Sequence, residues 1–167
     1  MPVIDSFRPD ADARAFRTTL GSFATGVTVV TTGTVEGPVG ITANSFASVS
    51  LDPPLVLWSP AKSSTRYGVF AAAEHFAIHV IGAEQKPVAD AFTKARDAFD
   101  GLDWAYDPTG TPLINGTLAR FLCRTEARHD AGDHLIVVGR VLAATCQDGL
   151  PLVFQGGAYG RFVGTDG

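Results

Sequence analysis

Leu118-Ala119-Arg120-Phe121-Leu122-Cys123-Arg124-Thr125-Glu126-Ala127-Arg128-His129, then Asp130-Ala131-Gly132-Asp133, then His134-Leu135-Ile136-Val137-Val138-Gly139-Arg140-Val141-Leu142-Ala143, reads as a strand, a tight turn and a returning strand. The Asp and Gly residues supply turn chemistry, and the flanks are rich in strand formers. Two long strands joined by so short a turn must run antiparallel. A doubly wound parallel sheet needs a helix between most strands, and this hairpin has none. The stretch therefore decides for a closed antiparallel barrel with helices at its edges.

The segments around it fit. Val27-Thr28-Val29-Val30-Thr31-Thr32 is a β-branched run and a first strand. Residues 33–38 form a hairpin loop, and a second strand begins near Val39. Leu55-Val56-Leu57-Trp58 is a third strand, entered through Asp52-Pro53-Pro54, where proline lacks the amide that pairing needs. His75-Phe76-Ala77-Ile78-His79-Val80-Ile81 is a fourth, and Pro151-Leu152-Val153-Phe154 a short last one. In the fourth strand, Phe76, Ile78 and Val80 share one face, with His75 and His79 on a solvent- or interface-facing side. Asp10 or Asp12 caps a first helix over residues 10–22, with Ala13, Phe16, Leu20 and Phe23 at helical spacing and Gly21 at its end. Tyr67, Val69, Phe70 and Ala73 mark a second helix, and residues 83–94 a third, with Pro87 in its first turn. Residues 96–112 read as a long loop anchored by Phe99, Leu102 and Trp104.

The chain of 167 residues suits one domain, residues 1–167, with the barrel over residues 25–162. Charged residues are only 18%, low for a small monomer, so part of the surface is expected to be buried in an oligomer. A net charge of -4 and no Lys/Arg run argue against a nucleic-acid partner. No apolar run nears the ~20 residues of a membrane helix. The opening Met-Pro-Val-Ile-Asp does not read as a signal peptide, and the two separated cysteines, Cys123 and Cys146, suggest reduced thiols in a cytoplasmic protein. No metal site is expected: His75 and His79 have no third ligand at a sensible spacing.

Two stretches bear on function. Residues 40–54 hold Thr42, Asn44, Ser45, Ser48 and Ser50, with no charge before Asp52. They form either a polar loop that satisfies itself or a wall of short groups against a flat polar ligand. Residues 59–66 place Ser59, Lys62, Ser63, Ser64, Thr65 and Arg66 ahead of the second helix. They are either an ordinary N-cap or, with the outward amides of a helix start, a phosphate cradle. No GxGxxG follows a strand, so a Rossmann nicotinamide site is excluded.

Phe23-Ala24-Thr25-Gly26-Val27-Thr28-Val29-Val30-Thr31, Thr42-Ala43-Asn44-Ser45-Phe46 and Ser48-Val49-Ser50-Leu51-Asp52-Pro53-Pro54-Leu55-Val56-Leu57 together resemble the flavin reductase-like family. Gly132-Asp133-His134 and Gly157-Ala158-Tyr159-Gly160 match it as well. The resemblance implies an FMN-binding split barrel, a six-stranded Greek-key barrel forming a homodimer with the flavin groove near the dimer interface. It implies an NAD(P)H:flavin oxidoreductase that reduces FMN, or FAD, with NADH or NADPH, and supplies the product to a partner flavin-dependent monooxygenase. The ring and ribityl chain would then contact Thr25, Val27, Thr42, Ala43, Asn44, Ser45, Ser48, Val49 and Ser50. The phosphate would meet Ser59, Lys62, Ser63, Ser64 and Thr65. The nicotinamide would lie by His134, with Tyr159 lining the same space; the alternatives are a His134–Asp133 pair and a packed aromatic. No side chain is expected to act as nucleophile, acid or base, because the cofactors carry the hydride chemistry. The competing functions are an FMN-retaining reductase of ferric iron or a cobalamin, and a flavin-binding protein without catalysis.

Overall fold

The computed structural model describes residues 6–165. The opening Met-Pro-Val-Ile-Asp lies outside them, as do the last two residues of the 1–167 domain reading.

The hairpin that decided the reading is the longest feature of the fold. Strands β9 (Ala119–Ala131) and β10 (His134–Cys146) have 13 residues each and turn at Gly132, whose φ of +67° is left-handed backbone. Cys123 pairs with Val141 and Cys146 with Ala119, so the thiols are not opposite each other. The remaining strands are β1 (Thr25–Gly26), β2 (Thr28–Thr34), β3 (Gly37–Ala43), β4 (Ala47–Leu51), β5 (Pro54–Trp58), β6 (His75–Val80), β7 (Trp104–Tyr106), β8 (Pro112–Ile114), β11 (Leu152–Gln155) and β12 (Ala158–Arg161). Seven form one antiparallel sheet in the order β3-β2-β6-β9-β10-β5-β4. The expected barrel had six strands; β4 is the addition, a Ser-rich segment that pairs with β5.

The two edges of this sheet, β3 and β4, are consecutive in the chain and separated only by residues 44–46. A connection that short spans at most about 14 Å. A seven-stranded sheet whose edges must come that close has to curl, and because β3 and β4 are not paired it closes incompletely. Asn44, Ser45 and Phe46 cross the split. Curling brings strands close, and Gly139 of β10 shows it: a Cβ there would lie 2.6 Å from the Phe76 ring and 3.0 Å from Cys123 Cβ.

Inside the barrel, Val30, Val56, Trp58, Phe70, Phe76, Ile78 and Val137 form one core. A second core, with Val27, Val29, Ile81, Phe92, Phe99 and Ile114, lies against the outside of the wall. Strand β2 serves both, so its residues are buried on both faces. The second core is covered by helix α3 (Lys86–Lys94) and the β7–β8 hairpin, which forms within the segment read as loop. That cover corrects the reading of β6. His79 is 0% exposed, because β8 and α3 close over the face assigned to solvent. Its Nδ1 lies 3.0 Å from the Val29 carbonyl, and its Nε2 accepts the Ile114 N–H at 3.0 Å.

Helix α1 (Ala13–Leu20) starts at Asp12, whose carboxylate accepts the Ala15 amide at 2.9 Å. None of its residues is buried. Helix α2 (Tyr67–Ala72) has six residues, and the third predicted helix opens as a 3₁₀ turn, Ala83–Gln85, before α3. Among the described residues no helix is long and apolar enough to cross a membrane.

Candidate functional site at the barrel split

The end of β3 and the crossing residues 44–46 separate two hollows. The first, about 190 Å³, lies between residues 41–45 and a wall of residues 58–61, Ser64 and His134. The second, about 200 Å³, is lined by Val27, Thr93, Phe154 and Tyr159. Both share Thr42, Ala43 and Asn44. His134 and Tyr159 therefore do not line one space, as expected, but stand in separate hollows with this wall in common.

Two of the small polar groups hold the wall itself. Thr42 Oγ1 donates to the Ala89 carbonyl of α3 at 2.6 Å. Ser45 Oγ accepts the Ser59 N–H at 2.9 Å, which ties the crossing to the end of β5. So the self-satisfying reading describes these two hydroxyls. Asn44 differs: it is exposed, it borders both hollows, and among the described residues its amide has no protein partner.

Residues 59–65 form a turn ahead of α2 rather than its first turn, and Arg66 at the helix start makes no side-chain cap. Ser59 and Ser64 line the first hollow; Ser63 and Thr65 are exposed outside it. Lys62 reaches away from the turn. Its ammonium binds the Asp130 carboxylate and the Gly132 carbonyl, and the hydrogen bond to Asp130 raises its pKa. Ser48, Val49 and Ser50 lie on β4 and Thr25 on β1, and none of them lines either hollow.

His134 Nδ1 lies 2.7 Å from Asp133 Oδ1, and that hydrogen bond lowers the pKa of Asp133. An Nδ1–H held by a carboxylate leaves Nε2 as the acceptor of the neutral ring. Tyr159 packs on Phe154 with centroids 5.3 Å apart, and the Lys86 ammonium sits 4.9 Å over its ring. Thr93, Phe154 and Trp58 are wall residues that sequence reasoning missed. Phe154 and Trp58 sat in apolar strands and Thr93 in a helix, with no local signal to mark them.

The site is thus a cleft of short uncharged groups and backbone, with aromatic rings behind it and one histidine–carboxylate pair at its rim. The model of the flavin reductase like domain matches residues 20–162, which contain all of it. The chain belongs to the flavin reductase-like family. It is 60% identical over 163 residues to the FMN reductase (NADH) SmoA of Agrobacterium fabrum, a match covering 97% of this chain and 94% of that protein. It is 41% identical to HsaB of Rhodococcus jostii, the reductase subunit of a flavin-dependent monooxygenase, over 89% of this chain and 77% of that one. Its fold matches a structure of the Streptomyces globisporus NADH:FAD oxidoreductase SgcE6 in complex with NAD and FAD fragments. The TM-score is 0.89 at 38% identity, covering 98% of this chain and 100% of that one. The donor set at the split fits a flavin of this family. An isoalloxazine edge offers acceptors and one donor, and Asn44 with nearby backbone can meet both without adding charge.

Proposed function

We propose that this chain is an NADH-dependent flavin reductase whose flavin lies across the barrel split, and that it delivers reduced flavin to a separate monooxygenase. The observation that carries this is the pair of hollows sharing Thr42, Ala43 and Asn44, a wall of short uncharged groups with space on both sides. The flavin, when bound, supplies the hydride acceptor. This chain's residues bind, orient and exclude water. Asn44, Ala43 and the backbone of residues 42–45 hold the ring. Ser59 and Ser64 take the ribityl phosphate limb, with Ser63, Thr65 and Lys62 at its outer rim. His134 offers Nε2 towards the nicotinamide. The weak, open character of such a site suits a flavin that leaves after reduction, and FMN and FAD share every group it contacts.

Residues 1–167 act as one domain, and a second copy completes it. Leu51 of β4 is 96% exposed, with Val49 on the same strand and Leu142 on β10 also exposed, while α1 presents Phe16 and Leu20. A homodimer that covers β4 would also bring Ser48, Val49 and Ser50 into a shared groove. The two free thiols, with no disulfide among the described residues, support a cytoplasmic setting.

The test is steady-state oxidation of NADH and of NADPH by the purified chain, with and without added FMN or FAD. Oxidation that requires added flavin and favours NADH is the expected result. Oxidation that proceeds on retained flavin, and needs ferric iron or a cobalamin, would replace the proposal with a terminal reductase. A chain that binds FMN and oxidises neither nucleotide would make it a flavin carrier.

A further inference from the structure

Trp58 ends β5 with its indole 1% exposed. The ring packs edge-to-face on Phe70, centroids 5.1 Å apart at 87°, and tilts against Phe76 at 6.3 Å. Its Nε1–H has no hydrogen-bond partner among the described residues. An indole N–H can only donate, and a buried one almost always finds an acceptor. Leaving it unpaired carries the full desolvation penalty of the group. A phenylalanine would carry no such penalty, at the cost of leaving part of the indole's volume empty.

Trp58 also lines the first hollow, beside Ser59, Ser64 and His134. Two hydroxyls of that hollow already hold backbone amides. Ser45 Oγ is bonded to Ser59, and Ser64 Oγ accepts the Arg66 N–H at 3.2 Å. The indole N–H is itself fully covered and donates to no group of this hollow, so it meets a ligand there only by a shift of the ring.

We propose that Trp58 is a ligand-positioning residue, whose indole N–H donates to an oxygen of the ribityl phosphate limb once the flavin is seated. The inference rests on the reading that flavin occupies the split. The bond forms as the ligand displaces water from the hollow and the indole settles towards it. Trp58 then discriminates for ligands carrying an oxygen-rich limb at this depth, which no charged group in the hollow does.

The experiment is a titration of uniformly ¹⁵N-labelled full chain with FMN. The chain holds two tryptophans, so it gives two indole N–H signals, assigned with the Trp58→Phe and Trp104→Phe variants. The expected result is a downfield shift and slowed exchange of the Trp58 N–H, with Trp104 nearly still. In Trp58→Phe the Kd for FMN should rise about tenfold in a chain that still unfolds cooperatively. A Trp58 signal that stays put while the Asn44 side-chain amide moves would overturn this inference alone, and the N–H is then spent on the Phe70 ring. FMN binding that moves neither signal would overturn the site reading as well. An unchanged Kd in a folded Trp58→Phe also overturns the inference, and if that variant fails to fold, the wild-type titration still decides.

Discussion

His79 ties the stability of this protein to pH. Burial pushes its pKa down from 6.5 to about 4, the Val29 carbonyl offsetting part of that and nearby Arg120 adding to it. Both nitrogens are committed: Nδ1 to Val29 of β2 and Nε2 to the Ile114 amide of β8. The ring must be neutral, with its proton on Nδ1, because a protonated Nε2 cannot accept the Ile114 N–H. Above pH ~6.5 the ring is neutral in folded and unfolded chains alike, and the clamp's contribution is complete. As pH falls from ~6.5 to ~4, the unfolded chain binds a proton that the folded chain refuses, so folding weakens. The loss is ~1.4 kcal/mol per pH unit, or ~3 kcal/mol across the window, a large fraction of a typical domain's 5–15 kcal/mol. Below pH ~4 this group adds no further loss. Carboxylates titrate over the same range, so a comparison isolates the histidine. His79→Gln keeps a donor and an acceptor but cannot titrate. Urea unfolding of both proteins from pH 7.5 to 4.5 should show His79→Gln less stable at pH 7.5 by roughly 1–3 kcal/mol. The gap should then shrink or reverse by about 3 kcal/mol as the pH falls. Parallel stability curves would refute the reasoning, since they would mean that the buried ring takes up its proton as readily as a free one.

Asn44→Leu should raise the Kd for FMN at least tenfold in a fluorescence titration, while the exposed position shifts unfolding by no more than ~0.5 kcal/mol. His134→Ala should raise KM for NADH several-fold more than KM for flavin in steady-state assays; equal effects would count against a nicotinamide-side role. Gly139→Ala forces a methyl against Phe76 and Cys123, both in the barrel core, and should lower stability by ~1–3 kcal/mol in chemical denaturation. Burial pushes the Cys123 thiol up to about 12 and leaves Cys146 exposed, so a thiol reagent should modify one cysteine in the native protein and two in urea.

Much of this was legible in residues close together in the chain. The β-branched run of β2, the Asp-Ala-Gly-Asp turn and the Asp12 cap act over a few positions, so local pattern was enough to find them. The crossing at Asn44 was legible too, as a polar stretch that a strand would not choose. What it could not tell was which polar groups remain available. Thr42 is engaged by an α3 carbonyl 47 positions away, and Lys62 by Asp130, 68 positions away. The burial of His79 likewise depends on Ile114, 35 positions on, within a segment that read as loop.

Sequence alone determined the antiparallel strands, their turns and the family, because those follow from side-chain period and backbone preference. Only the tertiary structure decided that the sheet's edges meet across residues 44–46, that two hollows share one wall, and that Trp58 keeps an unpaired donor. Those depend on which distant segments arrive to cover a face or to satisfy a hydrogen bond, and no local periodicity encodes that arrival.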